Sequence, residues 1–201
     1  MSIKHLLFDL GGVLYDIDLG LTRQAFADLT PLNLSDTFFT KKGQHEIFSQ
    51  FEVGEVSSQT FLTQMKTLLQ TSADEQTIKA AWNKMLLGLV PNRAEQLQIL
   101  KEKYPVALLS NNNAIHFEYL YADCLPLFHE FEQLFFSHII KKRKPDLESY
   151  YFTLDKLGWK AEETLFIEDS PPNLAGARAA GLQVFPIQEL ADFDVFFEQY
   201  K

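Results

Sequence analysis

Ile3-Lys4-His5-Leu6-Leu7-Phe8-Asp9-Leu10-Gly11-Gly12-Val13-Leu14 opens the chain with an apolar run that carries one carboxylate, Asp9, into a Gly-Gly turn. Leu6, Leu7 and Phe8 read as a strand buried on both faces, as strands of parallel sheets are, and Gly11 and Gly12 break it. A carboxylate at the C-terminal end of such a strand sits where open α/β sheets place their chemistry. Taken alone, Asp9 reads first as a strand-capping residue in a turn. The strand ends that follow change that reading.

Beyond Leu14 the sequence changes character. From about Asp16 to Val90 apolar residues recur at helical spacing: Phe26 and Leu29, Phe48 and Phe51, then Phe61, Met65, Leu68 and Leu69. Ser57 or Ser58 suits the cap of the Phe61 helix, and Ser72 or Asp74 that of the helix carrying Ile78, Trp82, Met85 and Leu86. Such stripes are core faces of a small helical bundle. From Pro91, placed in the first turn of a helix running to about Lys103, helices and strands alternate. Residues 106–109, 135–139, 165–167 and 183–185 read as strands. Helices run through His116 and Tyr119, over 146–157 to Gly158, and over 171–180 to Gly181. The pattern predicts an α/β fold, a Rossmann-like parallel sheet with helices on both faces. Residues 1–15 and 91–201 form this core, and residues 16–90 are inserted as a small helical-bundle cap.

The 201-residue chain has 18 Lys+Arg against 27 Asp+Glu, a net charge of −9, and a pI near 5.0. That balance argues against general nucleic-acid binding, which needs a basic face. One cysteine, Cys124, cannot form an internal disulfide and points to a reducing compartment. It reads as a small buried apolar residue rather than a nucleophile. No apolar run approaches the ~20 residues of a membrane span, and the N-terminus lacks a signal-peptide pattern. The expectation is a cytoplasmic monomer or homodimer whose partner is a small molecule, not nucleic acid or a membrane.

Three later strands also end in polar residues. Ser110-Asn111 offers a hydroxyl and a backbone N–H suited to phosphate oxygens, or else a polar turn and helix cap. Near the next strand, Lys141-Lys142-Arg143-Lys144-Pro145 resembles a nuclear-localisation patch, or else a solvated basic face. Glu168-Asp169 precedes a helix beginning near Pro171. Two carboxylates there complement the helix dipole, and they are also the oxygen ligands a hard divalent cation needs.

Taken in order, Asp9, Ser110, Lys144 and Glu168-Asp169 at successive strand ends resemble the haloacid dehalogenase (HAD) superfamily, specifically its phosphatase branch with a helical cap after the first strand. The resemblance covers essentially the whole chain. It includes Phe51-Glu52-Val53-Gly54-Glu55-Val56-Ser57 in the insertion and Asn173-Leu174-Ala175-Gly176-Ala177-Arg178-Ala179-Ala180-Gly181 after the acidic pair. The run Asp9-Leu10-Gly11-Gly12-Val13, then Asp16-Ile17-Asp18, with Ser110, Asn111, Asn113 and His116, is most similar to bacterial sugar-phosphate phosphatases, including α-glucose-1-phosphate phosphatases.

This resemblance implies a Mg²⁺-dependent phosphomonoester hydrolase acting on a small phosphorylated metabolite, with sugar phosphates favoured. Asp9 would attack phosphorus and form an aspartyl-phosphate that water cleaves. Mg²⁺, held by Asp9, Asp169 and the Gly11 carbonyl with Glu168 as a ligand or its neighbour, would offset the repulsion between carboxylate and phosphate. Ser110 and the Asn111 N–H would hold the transferring phosphoryl, and Lys144 would pair with it and with Asp9.

One position departs from the family. Many of its phosphatases carry a second Asp two residues after the nucleophile, as general acid to the leaving group; here that residue is Gly11. Without a positioned acid, expulsion of a poor leaving group slows by roughly 10²–10⁴-fold. Asp16, Asp18 or His116 is expected to supply the proton, unless the preferred substrates need little help. Otherwise Asp16 and Asp18 are loop and cap residues and His116 a packed helix histidine. Two rival readings stand beside this one. A metal-free 2-haloacid dehalogenase would have to tolerate mutual repulsion at Glu168-Asp169, with Arg23 as its halide candidate. A non-catalytic binding protein would have no use for the intact Asp9, Ser110, Lys144 and acidic pair.

Overall fold

The computed structural model describes residues 2–32 and 46–201. Residues 33–45, part of the expected insertion, lie outside the described residues. The chain runs β1 (His5–Phe8), β2 (Tyr15–Ile17), α1 (Leu19–Leu29), α2 (Glu46–Glu52), α3 (Ser58–Leu68), α4 (Glu75–Asn83), β3 (Leu86–Leu89) and α5 (Arg93–Leu100). It continues through β4 (Val106–Ser110), α6 (Ala114–Phe128), β5 (Gln133–Phe136), α7 (Ser137–Ile140) and α8 (Leu147–Leu157). It closes with β6 (Thr164–Glu168), α9 (Pro171–Ala179), β7 (Gln183–Pro186) and α10 (Asp192–Tyr200).

Five strands form a parallel sheet in the order β5-β4-β1-β6-β7. β1 lies in the middle, and its continuous apolar run follows from burial on both faces. Leu6 and Phe8 pack with Leu108, Phe193 and Phe196 on one side. Leu7 packs with Tyr150, Phe166 and Ala177 on the other. Phe8 is in register with Leu108 and with Ile167. Asp9 and Glu168 follow directly and Ser110 comes one residue later, so all three reach one edge of the sheet. The chain builds outward from β1 to β4 and β5, then returns to β6 and β7 on the other side. That reversal opens a crevice at the C-terminal ends of β1, β4 and β6.

The helices between β2 and β3 have their own core, in which Phe26, Phe48, Phe51, Phe61, Met65 and Trp82 meet. Ser57 and Asp74 cap α3 and α4 as expected, accepting from the amides of Thr60 (3.1 Å) and Thr77 (2.8 Å). The expected succession of helices up to Val90 does not hold at its two ends, where β2 and β3 lie. Met85 and Leu86 do not continue α4; β3 instead pairs antiparallel with β2 to form a two-stranded ribbon at the base of the insertion. Thr22 diverts the chain there: its hydroxyl donates to the Trp82 carbonyl (2.9 Å) and accepts from the Met85 amide (3.0 Å). Two other boundaries also move. α5 starts at Arg93 with Asn92 at its N-cap position, so Pro91 lies before the first turn instead of in it, and the expected strand over 135–139 stops at Phe136, where Ser137 begins α7.

No helix among the described residues is long and apolar enough to cross a membrane. Cys124 is buried, and burial pushes its thiol up to about 12, consistent with an inert packing residue.

Candidate active site

Lys144 arrives at the crevice from the loop between α7 and α8. It is fully buried, and its ammonium lies 2.8 Å from Asp9 Oδ1 and 2.7 Å from Glu168 Oε2. The face of Phe166 lies 5.1 Å from it. The loop is pinned by a reciprocal pair: Asn111 Nδ2 donates to the Lys144 carbonyl (2.8 Å), and the Lys144 amide donates to Asn111 Oδ1 (2.9 Å). Glu168 is held just as firmly. Oε1 accepts from the Ser170 amide (2.9 Å), and Oε2 accepts from Asn173 Nδ2 (3.1 Å) as well as from Lys144. Asn173 is itself placed by the Tyr150 hydroxyl, which donates to its carbonyl at 2.7 Å. Asp9 Oδ1 accepts from Lys144 and from the Leu10 amide (2.7 Å), so Oδ2 is the oxygen that neither engages.

These contacts set the electrostatics. Burial and the Glu168 carboxylate push the Asp9 carboxyl well above its usual range, against the pull of Lys144. Burial also acts against the Glu168 charge, but Lys144 and the hydrogen bonds outweigh it and hold this carboxyl below its usual range. For Lys144, burial is outweighed by Asp9 and Glu168, and the ammonium is held above its ordinary value.

The donor set fits a hard divalent cation. Asp9, Glu168 and Asp169 each bring a carboxylate oxygen within 4.8 Å of the others, Asp169 being the most exposed of the three. Lys144 offsets one of these negative charges, and a dication would balance the rest. Gly12 leaves space for the cluster: with φ of +77°, it would, as any larger residue, put its Cβ 2.6 Å from Asp169 Oδ2.

At the position of the absent family acid, a Cβ on Gly11 would lie 3.2 Å from Ile17 Cδ1, so the ribbon covers that site with an apolar side chain. Two small cavities open beside it. One, of about 70 Å³, lies against Gly11, Ile17, Ser110 and Asn111. The other, of about 110 Å³, lies against Thr22, Glu52, Trp82 and Asn112. His116 lines both, whereas Asp16 and Asp18 line neither. Asp18 caps α1 by accepting from the Gly20 amide at 2.7 Å. Asn113 Oδ1 accepts from the amides of Ile115 and His116, which turns Nδ2 toward His116 Nδ1 at 3.0 Å. Nδ1 is then an acceptor, and Nε2 carries the proton and donates to the Trp82 carbonyl at 3.1 Å. Burial pushes this imidazole down to about 4.

The basic run is not simply a solvated face. Lys141 donates to the Gly54 carbonyl, and Arg143 pairs with Glu52 at 2.9 Å. Lys142 pairs with Glu148 at 3.1 Å on the surface. Sequence reasoning missed Ser137, whose buried hydroxyl bonds to Asn112 and to Glu52, and the bonds of Asn173 to Glu168 and Tyr150. A polar residue directly after the apolar Leu134-Phe135-Phe136 was the available signal for Ser137.

Residues 3–181 match the haloacid dehalogenase-like hydrolase family. A D-ribitol-5-phosphate phosphatase of Bacteroides thetaiotaomicron is 29% identical over 196 residues, covering 95% of this chain and 95% of its own. A sesquiterpene phosphatase of Aspergillus oryzae is 26% identical over 189 residues, covering 90% of this chain and 88% of its own. Among solved structures, a HAD family enzyme of Bacteroides thetaiotaomicron in complex with magnesium and inorganic phosphate aligns with a TM-score of 0.81 and 30% identity, covering 92% of this chain and 94% of that one.

Proposed function

The chain belongs to the haloacid dehalogenase-like hydrolases, and from that membership we propose that it is a Mg²⁺-dependent phosphomonoesterase of a small phosphorylated metabolite, with sugar phosphates the favoured class. The observation that carries this reading is Lys144, buried between Asp9 and Glu168 at the edge shared with Ser110 and Asp169. Relatives named as phosphatases support it, one of them for a sugar-alcohol phosphate. The reading includes residues 16–90 as a cap over the cleft, a cytoplasmic location and a monomeric or homodimeric state.

Asp9 attacks phosphorus in line through a carboxylate oxygen, the bond to the leaving oxygen breaks, and an aspartyl-phosphate forms. Water then cleaves that intermediate, releasing inorganic phosphate and returning the carboxylate. Ser110 and the Asn111 N–H hold the phosphoryl oxygens. Lys144 works against the burial and the Glu168 charge that disfavour the Asp9 carboxylate, and pairs with the charge that builds on the phosphoryl group. Glu168, whose two oxygens are engaged by Lys144, Asn173 and Ser170, acts mainly to hold Lys144 in place. Mg²⁺, when bound by Asp9, Asp169 and the Gly11 carbonyl, supplies positive charge that lets the carboxylate approach a phosphate dianion.

The leaving-group proton is assigned to none of the three residues expected to replace the family acid. His116 is neutral with both ring nitrogens engaged, Asp18 is a helix cap, and Asp16 lines neither cavity. Substrates with stable leaving groups, such as anomeric or acyl phosphates, fit this arrangement best. The three clustered carboxylates weigh against the metal-free dehalogenase.

The test is phosphate release from p-nitrophenyl phosphate and a panel of sugar and acyl phosphates. Turnover should need Mg²⁺, stop with EDTA and vanish in Asp9→Asn. Undiminished turnover in Asp9→Asn would refute the assignment. Metal-independent chloride release from 2-chloropropionate would instead identify a dehalogenase.

A further inference from the structure

Ser137 belongs to none of the motifs, yet its hydroxyl joins two parts of the protein. It is fully buried at the start of α7. Its oxygen accepts from the Asn112 amide at 2.9 Å and faces two carbonyls, that of Glu52 at 2.6 Å and that of Asn112 at 2.9 Å. A hydroxyl has one proton, so it serves one carbonyl at a time. Glu52 ends α2 in the helical insertion, whereas Asn112 follows Ser110 and Asn111 at the end of β4. The same proton is thus shared between the insertion and the loop that grips phosphate.

The surrounding contacts point the same way. Lys141 donates to the Gly54 carbonyl, Arg143 pairs with Glu52 at 2.9 Å, and a Cβ on Gly54 would run into the His138 carbonyl. The segment 137–144 therefore receives the insertion's turn at Glu52–Gly54 and, at its far end, presents Lys144. Asn111 clamps that lysine's backbone through two hydrogen bonds.

We infer that Ser137 is a positioning residue that couples the seating of the Glu52–Gly54 turn to the geometry of the phosphate-gripping loop; this rests on the assignment of Ser110 and Asn111 above. With the turn seated, the Ser137 proton goes to Glu52. With the turn lifted, it goes to Asn112, so no buried donor is stranded and release costs little. Phosphate binding, which orders the loop, then favours the seated turn, and seating favours phosphate to the same degree.

The experiment reads both ends of this coupling in the full chain with Mg²⁺. Amide hydrogen exchange over residues 51–55 is followed with and without inorganic phosphate, and phosphate affinity is measured by calorimetry. In the wild type, phosphate should slow exchange there. Ser137→Ala, made on the core side, and Gly54→Val, which holds the turn away from the insertion side, should each weaken phosphate roughly 5- to 20-fold and remove the exchange response. Ser137→Thr, which keeps the hydroxyl, should restore both. Phosphate affinity within twofold of wild type in either folded variant overturns the coupling. So does wild-type phosphate binding without an exchange response. If Ser137→Ala does not fold, Gly54→Val decides alone. Failure of the wild type to bind phosphate at all would instead overturn the assignment of the site.

Discussion

Replacing Lys144 with Met keeps the length of the side chain and removes its charge from between two carboxylates. Each contact, at 2.8 and 2.7 Å, is worth ~6 kcal/mol of direct attraction at an effective dielectric near 20, most of it offset by the desolvation of three buried charges. What the variant loses is compensation for Asp9 and Glu168, and stranding buried charges in this way costs ~3–5 kcal/mol. The loss depends on pH with a definite sign. Glu168 lies below its usual range because of Lys144, so it stabilises the fold above the unfolded carboxylate range and ceases to as pH falls through its folded value. Asp9, already pushed up by burial and by Glu168, rises further once Lys144 is gone, and its ionisation then opposes folding at neutral pH. Urea unfolding in EDTA should therefore show the full deficit at pH 7 and a smaller one toward pH 4. Adding Glu168→Gln should recover part of the loss, with a coupling of ~1–3 kcal/mol in the double-mutant cycle. A deficit below ~1 kcal/mol at pH 7, a deficit independent of pH, or additive single variants would each refute this account of the buried triad.

Gly12→Ala places a methyl against Asp169 and demands a positive φ of an alanine, so Mg²⁺ affinity measured by calorimetry should fall roughly 10- to 100-fold. Unchanged affinity would remove Asp169 from the metal site. Asp9→Asn eliminates a carboxylate whose ionisation burial opposes; in EDTA its melting temperature should exceed that of wild type at pH 7 and converge with it near pH 4. Gly11→Asp alone meets Ile17, whereas Gly11→Asp with Ile17→Ala should raise turnover of alkyl phosphates relative to p-nitrophenyl phosphate by at least ~10-fold. An equal response of both esters would show that a proton donor is not the missing element. Cys124 should resist thiol reagents in the folded protein and react on unfolding in urea.

The candidate site groups at the strand ends were legible in sequence because their placement is local. An apolar run specifies a buried strand, and the polar residue that ends it comes to the sheet edge wherever the strand pairs. That logic located Asp9, Ser110 and Glu168, together with Asp169, and with them the parallel sheet and its helical insertion. It could not find the β2–β3 ribbon, whose strands are three and four residues long and exist through pairing with each other. Strand logic also does not separate Lys144 from Lys141, Lys142 and Arg143; the family resemblance singled it out, and of the four adjacent cations one is buried against Asp9, two hold the insertion and one pairs on the surface.

The chemistry therefore divides along the same line. The sequence by itself determined the order and kind of groups brought to the sheet edge, because strand, turn and cap are decided by neighbours along the chain. Only the tertiary structure decided that Lys144 is shared between Asp9 and Glu168, that Ile17 covers the place of an acid at Gly11, and that Ser137 bonds to Glu52, 85 residues away. Those outcomes depend on packing between segments distant in the chain, where burial and hydrogen-bond satisfaction select one arrangement and the local sequence is silent.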